Sequence, residues 1–479
     1  MSTLLRNARL DGAIVDVLVR DGRITRIGAL PAEGAREVDL DGRWLLPGMW
    51  DNHVHFTQYA MVRQRLDLAG AESAAQAAAL VAEAVAAGVS ATPLIGYGFR
   101  DGLWPDAPDR DLLDQAAGGH PVALVSADLH AVWLNSAALE LYGHPDHPSG
   151  LLQEDEAFEV TRLIEDTPPE VLDEWARSAG RAAAERGVVG IVDLEMQWNL
   201  DTWRRRSENG FDALRVEFGI YSEHLDRAID LGLRTGDRVN DLITVGMYKV
   251  LTDGSLNTRT AYCHDPYPGL EGHPHPRGLL TVPPEQLRPR MRRASEAGIV
   301  PDVHAIGDLA NTLALDAFEA LGIGGRIEHA QLLSESDFPR FAQLGVVASV
   351  QPEHAMDDRD IAERYWPGKT SRAFAFRSLL DAGAELALGS DAPVSPLDPW
   401  VTIAAAVGRS RDGREPWHPE QTIGIDAALA ASTRTRVEVG EVADLVAVER
   451  DPRASSSAEL ATMPVAATML SGRFTHLTL

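Results

Sequence analysis

The chain contains very little cysteine and no long apolar run. Cys263 is the one cysteine among 479 residues, so an internal disulfide is impossible and any metal must be held by nitrogen and oxygen ligands. Nowhere do 18 apolar residues follow one another, and the first 17 residues carry charges where a secretion signal would be apolar. These absences predict a cytoplasmic protein that does not bind membranes.

Basic residues are also in short supply. The 44 basic and 71 acidic residues give a net charge of −27, a field that repels phosphate backbones. We therefore expect no nucleic-acid partner. An apolar content of 45% and a charged content of 24% are ordinary for a globular chain. The expected partner is a small-molecule substrate, and a homodimer is the default assembly.

Both ends of the chain are predicted to form short β-strands. The first segment, 1–49, alternates apolar runs with Asp-Gly turns at Asp11-Gly12, Asp21-Gly22 and Asp41-Gly42, which predict tight hairpins. The last segment, 436–479, has the same character in ADLVAV, PVAATML and RFTHLTL. We expect these two segments to form one composite β-sandwich domain.

The middle segment, 50–435, alternates β-branched runs with Ala-rich amphipathic stretches, a pattern typical of parallel strands covered by helices. Eight strand candidates end near polar residues, and eight is the number that a closed (β/α)8 barrel needs. They lie around His53, Ile191, Phe218, Tyr248, Val303, Ile327, Val347 and Leu388. The stretch from about 67 to 186 is too long for one crossover and is interpreted as an insertion into the barrel.

The segment DNHVHF places two histidines two residues apart. Alternate residues of a strand share a face, so His53 and His55 can point at one ion. Three more polar residues, His304, His329 and Asp391, follow apolar runs assigned to strands five, six and eight, and barrel active sites lie at that end of the strands. Each of these residues alone is equally explained as a hydrogen-bonded polar group. Their convergence favours a metal site.

Only two of the basic residues are lysines, Lys249 and Lys369. Lys249 lies in ITVGMYKVLTDG, a run apolar enough to be a buried strand, where an ammonium group must be paired or lose its proton. A neutral amine can take up carbon dioxide to form a carbamate, an anion able to bridge two cations. The alternative is an ordinary salt bridge with Asp253 or another acid.

Several motifs together resemble one family. PGMWDNHVHF resembles the first-strand signature of the amidohydrolase superfamily, and YKVLTDGSLNTRT, VHAIGD, RIEHAQ, VQPEHAMD and LGSDAPVSP resemble the amidohydrolase family 3 branch, which includes N-substituted formamide deformylases. The resemblance implies an α/β fold, a metal-binding (β/α)8 TIM barrel with a small β-sandwich domain formed by both termini. It also implies a binuclear metal centre with carboxylated Lys249 as the bridge, held by His53, His55, Lys249, His304, His329 and Asp391.

This ligand set suggests a mechanism. Nitrogen and oxygen ligands suit zinc first, with manganese, iron or cobalt as alternatives. Two such ions would generate hydroxide at neutral pH, and Asp391 would act as the catalytic base and then as the acid for the departing nitrogen. The expected reaction is hydrolysis of a small amide, formamide or cyclic amide. The alternatives are an esterase or lactonase that uses the same site, and a non-catalytic barrel that serves in assembly.

Three residues are candidates for substrate binding. His130 resembles a histidine of the family's inserted segment that reaches over the barrel mouth, although it could equally cap a helix. Asp253 and Arg259 follow Lys249 in a loop at the catalytic end of the barrel. The Arg259 guanidinium is suited to a substrate carboxylate, or to a salt bridge that orders the loop.

Overall fold

The computed structural model describes residues 2–32, 34–68, 70–88, 93–101, 104–126, 131–153 and 155–479, without the side chains of residues 158 and 165. The strands and helices formed by these residues are numbered β1 to β21 and α1 to α16 along the chain. The chain folds into two compact units, Met1–Gln58 with Gly180–Leu479 and Tyr59–Ala179. The second unit overlaps the stretch from about 67 to 186 that is expected to be an insertion into the barrel.

The two ends of the chain meet in one eight-stranded sheet. Its order is β21-β20-β19-β5-β1-β2-β3, with β4 paired to β1. Apolar side chains from both ends, among them Leu5, Val17 and Leu445, pack into one core. The strands are β1 (Ser2–Leu10), β2 (Ala13–Arg20), β3 (Arg23–Gly28), β4 (Arg36–Asp39), β5 (Trp44–Pro47), β19 (Leu445–Val448), β20 (Val465–Leu470) and β21 (Arg473–Leu477).

Two of the three Asp-Gly turns connect the strands of hairpins, and the third does not. Asp11-Gly12 and Asp21-Gly22 have positive φ at both residues, as a two-residue hairpin turn requires, and they join antiparallel neighbours. The prediction of a hairpin at Asp41-Gly42 is wrong, because β4 and β5 both run parallel to β1. This turn separates two strands that pair one after the other with the same partner.

Eight parallel strands form the predicted barrel. Each pairs with the next in chain order, and a parallel bridge between Val54 and Ala392 joins the last strand to the first. All eight strand candidates fall within these strands, which confirms the fold class. The strands are β6 (Met49–Val54), β12 (Val188–Asp193), β13 (Arg215–Tyr221), β14 (Ile243–Leu251), β15 (Pro301–Ala305), β16 (Gly325–His329), β17 (Val346–Val350) and β18 (Leu386–Leu388).

The junction between the last and first strands depends on a close backbone approach. The Asp391 N–H donates to the His53 carbonyl at 2.7 Å. A Cβ at Gly389 would lie 2.7 Å from the His53 backbone nitrogen, closer than side-chain carbons pack. Glycine therefore lets β18 close on β6, and the closure brings the polar ends of these two strands together.

Most of the helices below follow a barrel strand, whereas the helix Pro169–Glu185 precedes β12. In α10, apolar residues recur every four positions at Ala310, Ala314 and Phe318 and bury one face, and Gly322 ends the helix with φ 63°. These helices are α1 (Phe56–Val62), α6 (Pro169–Glu185), α7 (Asn199–Glu208), α8 (Leu225–Asp230), α9 (Pro284–Glu296), α10 (Asp308–Leu321), α11 (Phe338–Leu344), α12 (Pro352–Tyr365), α13 (Phe376–Asp381), α14 (Pro399–Gly408) and α15 (Ile425–Ala431), and α16 (Ser457–Ala461) lies between β19 and β20.

The second unit has a five-stranded sheet of order β11-β10-β9-β8-β7. Its α2 begins at Ser73, whose hydroxyl accepts a hydrogen bond from the Gln76 N–H at 3.0 Å. The elements are β7 (Leu66–Asp67), α2 (Ala74–Ala86), β8 (Leu94–Phe99), α3 (Arg110–Ala117), β9 (Val122–Ser126), β10 (Ala131–Leu134), α4 (Ser136–Leu141), β11 (Leu151–Gln153) and α5 (Asp155–Glu165). Over all the described residues, no helix combines the length and apolar character needed to cross a bilayer.

Candidate metal centre

The two histidines of the first barrel strand converge with the aspartate that follows the last one. His53 lies in β6 and His55 just beyond it, with ring centres 5.6 Å apart. The Nε2 atoms of both rings lie 3.3 Å from Oδ1 of Asp391. Val54, between the two histidines, is fully buried. The alternation inferred from the sequence therefore places both imidazoles next to one carboxylate.

The histidines of strands five and six complete the cluster. His304, in β15, and His329, at the end of β16, have ring centres 4.5 Å apart. Ligand atoms of His53, His329 and Asp391 all lie within 4.8 Å of one another, and these residue types are ligands of zinc and similar cations. The structure thus brings together side chains from four of the eight barrel strands or the residues that follow them.

Two members of the cluster have an unusual backbone. His329 has φ 72° and Asp391 has φ 59°, values that residues with a Cβ seldom adopt. Such conformations persist only where the surrounding structure imposes them, and they concentrate at functional sites. Glu328 and His329, neighbours at the end of β16, are both buried, as expected for a barrel strand that is covered on both faces.

Lys249 lies in β14 and is 1% exposed. Its Nζ atom has no hydrogen-bond partner, and within the described part of the chain no carboxylate forms an ion pair with it. The alternative salt bridge to Asp253 is therefore not observed. Lys249 lines the same cavity as the four strand-end histidines.

The donor set fits divalent cations. Among the described residues, His55 Nδ1, Lys249 Nζ, His304 Nε2 and His329 Nδ1 are buried without a hydrogen-bond partner. Buried polar atoms almost always have partners, so four such atoms around one cavity are what ligands of an ion would show. The Lys249 amine fits once it carries a carboxylate group.

The pKa shifts of His304, His329 and Asp391 also suit cation binding. Burial lowers the pKa of His304 to about 3, assisted by the charge of Lys249. Burial, followed by the charge of His304, holds the pKa of His329 well below its ordinary value. Burial alone would raise the pKa of Asp391, but the charge of His53 and the hydrogen bond from His55 hold it well below its usual range. Neutral imidazoles and an ionised carboxylate are the forms that bind metals.

A carboxylate behind His53 was not identified from the sequence. Glu328 is fully buried and accepts a short hydrogen bond from His53 Nδ1, which fixes the ring so that Nε2 faces Asp391. Arg326 Nε lies 2.5 Å from Glu328 Oε1. Burial would raise the pKa of Glu328, but Arg326 and His53 hold it well below its ordinary value. The signal in the sequence is a glutamate directly before the predicted ligand His329, in the strand GRIEH.

A further histidine, His354, belongs to the motif VQPEHAMD but is not among the ligands predicted from the sequence. It lies in the first turn of α12, where it is 8% exposed. Its Nε2 atom lies 3.7 Å from Asp391 Oδ2, and its ring stacks on that of His329 with centres 5.9 Å apart. His354 therefore belongs to the wall of the site although it was not predicted as a ligand.

Asp253 acts on the backbone of the loops. Its carboxylate accepts hydrogen bonds from the N–H groups of Tyr262, Ile306 and Gly307 at 2.8, 3.0 and 2.9 Å. Burial raises the pKa of Asp253 to about 7, against the effect of these hydrogen bonds. His304 Nε2 lies 3.5 Å from Asp253 Oδ1. Asp253 is placed to order the loops beside a ligand and is absent from the cavity lining.

The other two predicted substrate-binding residues are Arg259 and His130. The guanidinium of Arg259 lies 5.5 Å from the ring centre of Tyr365, and Arg259 does not line the cavity. His130 lies outside the described residues.

The cluster opens into a cavity of about 670 Å³, a size suited to a small molecule. All six predicted metal ligands line it. The lining consists of His53, His55, Gln58, Met196, Tyr221, Lys249, Leu251, Ser255, Leu256, Asn257, His304, Ile306, His329, Gln331, His354, Asp357, Asp358, Ile361, Asp391, Pro393 and Val394.

Comparisons with known proteins agree with this geometry. A sequence model described as that of the amidohydrolase family matches residues 36–476. The protein LONG AFTER FAR-RED 3 of Arabidopsis thaliana is 29% identical over 459 residues, which cover 87% of this chain and 78% of that protein. N-substituted formamide deformylase of Arthrobacter pascens is 25% identical over 514 residues, which cover 95% of this chain and 94% of the enzyme.

Solved structures show the same architecture. A metal-dependent hydrolase from Pyrococcus horikoshii has a TM-score of 0.78 at 25% identity and matches 96% of this chain and 99% of its own. N-isopropylammelide isopropylaminohydrolase from Burkholderia multivorans has a TM-score of 0.56 at 15% identity over the full length of both chains, which shows a shared fold alone.

Proposed function

This chain belongs to the amidohydrolase family, and from that premise we propose that it hydrolyses a carbon–nitrogen bond of a small amide, formamide or cyclic amide with the help of two divalent cations, zinc first. The observation that carries the proposal is the convergence of six side chains from five strand ends on one cavity. The similarity to an N-substituted formamide deformylase over 95% of this chain supports an amide substrate.

The ions would be held by the four strand-end histidines, by Asp391 and by modified Lys249. For the modification, the neutral Nζ amine adds to the carbon of carbon dioxide, a nitrogen–carbon bond forms, and one amine proton passes to solvent. The product is a carbamate anion with two oxygens. A buried Nζ without a partner supports this proposal, since the carbamate and its ions would provide the missing partners.

When bound, two cations would lower the pKa of a water molecule from ~16 towards ~7 and polarise the substrate carbonyl. The residues of the chain supply the proton transfers. Asp391 Oδ1 lies 3.3 Å from the Nε2 atoms of His53 and His55, and its ionised carboxylate would accept a proton from the attacking water. It then donates that proton to the departing nitrogen, which is too basic to leave unprotonated. Glu328 keeps His53 oriented throughout.

The proposal is tested with pairs of amides and esters that share the same acyl group, together with metal analysis by mass spectrometry. We expect wild-type protein with divalent metal to hydrolyse the amides, and Asp391→Asn to lower kcat/KM by roughly 10²- to 10⁴-fold. Asp381→Asn is the control, because Asp381 is a surface carboxylate paired with Arg377. Turnover of the esters alone would favour an esterase or lactonase, and full activity of Asp391→Asn would contradict the assigned role.

A further inference from the structure

One face of α12 forms part of the cavity wall. His354, Asp358 and Ile361 line the cavity and are spaced four and then three residues apart, so they lie on the same side of the helix. His354 is the member next to the metal ligands, because its Nε2 is 3.7 Å from Asp391. Asp358 and Ile361 follow one and two turns further along α12. They are therefore placed to contact the part of a substrate that does not react.

Asp358 is a carboxylate without a cationic partner. It is half-buried, and its Oδ2 accepts a hydrogen bond from the neutral amide of Gln331 at 3.1 Å. Its neighbour Asp357 differs, because it lies 2.6 Å from a guanidinium nitrogen of Arg411. Among the described residues no arginine, lysine or histidine forms an ion pair with Asp358. Burial raises the pKa of Asp358, against the lowering effects of the charge of His354, one turn earlier on α12, and of the Gln331 hydrogen bond.

Away from the metal ligands, the described lining offers a substrate anion neutral donors and the imidazole of His354, but no arginine or further lysine. In the described lining, Lys249 is the one residue with a basic side chain of the lysine or arginine type, and the proposed carbamate would convert it to an anion. Met196, Leu251 and Val394 line the cavity and are 54, 36 and 65% exposed, so the wall also presents apolar surface. The whole chain carries a net charge of −27, which concentrates cations near the protein.

We propose that the cavity selects substrates whose non-reacting part carries a positively charged nitrogen joined to the amide by a short apolar segment, and that Asp358 binds this charge. The inference rests on the proposed function for its amide chemistry. A substrate cation would supply the ion pair that Asp358 lacks, and Ile361, one turn beyond it on α12, would contact the apolar segment. A substrate carboxylate at the same position would meet an unneutralised negative charge.

Two formamides of the same shape test the selection. One carries a 2-(trimethylammonio)ethyl group on nitrogen and the other a 3,3-dimethylbutyl group, so they differ in charge alone. In the wild-type holoenzyme we expect kcat/KM to be at least ~10-fold higher for the cation, and the ratio to fall at least ~10-fold in Asp358→Asn. Added salt should reduce the ratio as well. Asp360→Asn is the control and should keep the ratio, because Asp360 is on the same helix, exposed, paired with Arg414 and outside the cavity lining.

Binding of unreactive ligands separates this inference from the proposed function. Choline and 3,3-dimethylbutan-1-ol form a second pair of equal shape, and calorimetry on the holoenzyme should give a Kd at least ~10-fold lower for choline, with the difference lost in Asp358→Asn. If neither formamide is hydrolysed while this difference is present, the selection holds and these formamides are not substrates; the amide and ester pairs then decide the amidase proposal. If both formamides are hydrolysed at equal efficiency, or both alcohols bind equally, the selection is wrong.

Discussion

Replacing Glu328 by glutamine tests whether a carboxylate outside the ligand set controls the metal site. The substitution keeps the size of the side chain and leaves an oxygen that can accept from His53 Nδ1. It removes the negative charge that faces Arg326 Nε at 2.5 Å. It also weakens the hydrogen bond that fixes the His53 ring, because an ionised carboxylate accepts a stronger hydrogen bond than a neutral amide oxygen does.

The size of the effect follows from these contacts. Loss of a hydrogen-bonded carboxylate behind a ligating histidine lowers metal affinity by roughly 10- to 100-fold, or about 1.4 to 2.8 kcal/mol. Arg326 remains fully buried, with Ser349 Oγ at 2.6 Å as a neutral partner. Removing one member of a buried ion pair costs about 3 to 5 kcal/mol. The free energy of unfolding of the metal-free protein should therefore fall, by up to about 3 kcal/mol, because the charge of Arg326 also acts on the buried carboxylate of Asp302.

Two measurements check the prediction, competition with a chelating indicator for metal affinity and urea unfolding of the metal-free protein for stability. Glu353→Gln is the matched control, since Glu353 is also buried and lies 2.8 Å from Arg411 but forms no hydrogen bond with a predicted ligand. It should lose stability and keep its metal affinity within about 3-fold. Unchanged metal affinity in Glu328→Gln would refute the argument that Glu328 orients His53.

Two further predictions concern Lys249 and Cys263. Lys249→Ala should lose one or both ions in metal analysis and regain part of its activity when short-chain carboxylic acids are added, whereas full activity without rescue would exclude the carbamate. Burial, together with the charge of Asp308, raises the pKa of Cys263 from 9.0 to about 12, so a thiol reagent at pH 8 should label the protein only after unfolding. Because the unfolded thiol ionises at a lower pH than the native one, the stabilisation linked to Cys263 should be lost as the pH rises from 9 to 12. Rapid labelling of native protein would contradict this burial.

Much of the fold was accessible from local patterns. The eight barrel strands were located because each is a short apolar run that ends in polar residues. The Asp-Gly turns at Asp11-Gly12 and Asp21-Gly22 gave hairpins because their backbone conformation is set by the turn itself. The hairpin predicted at Asp41-Gly42 is wrong because the same local turn also allows two strands to pair one after the other with a third. The residues of a turn determine its local backbone conformation, whereas the pairing partners of the flanking strands depend on the rest of the sheet.

The amino-acid sequence by itself determined which side chains stand at the strand ends. Strand periodicity places His53 and His55 on one face, and the shared direction of parallel strands sends His304 and Asp391 to the same rim. Only the tertiary structure decided what surrounds them. Glu328 meets His53 across 275 residues of chain. The face of α12 that meets the cavity is set by packing, because helical periodicity groups residues on a face without saying which face turns inward.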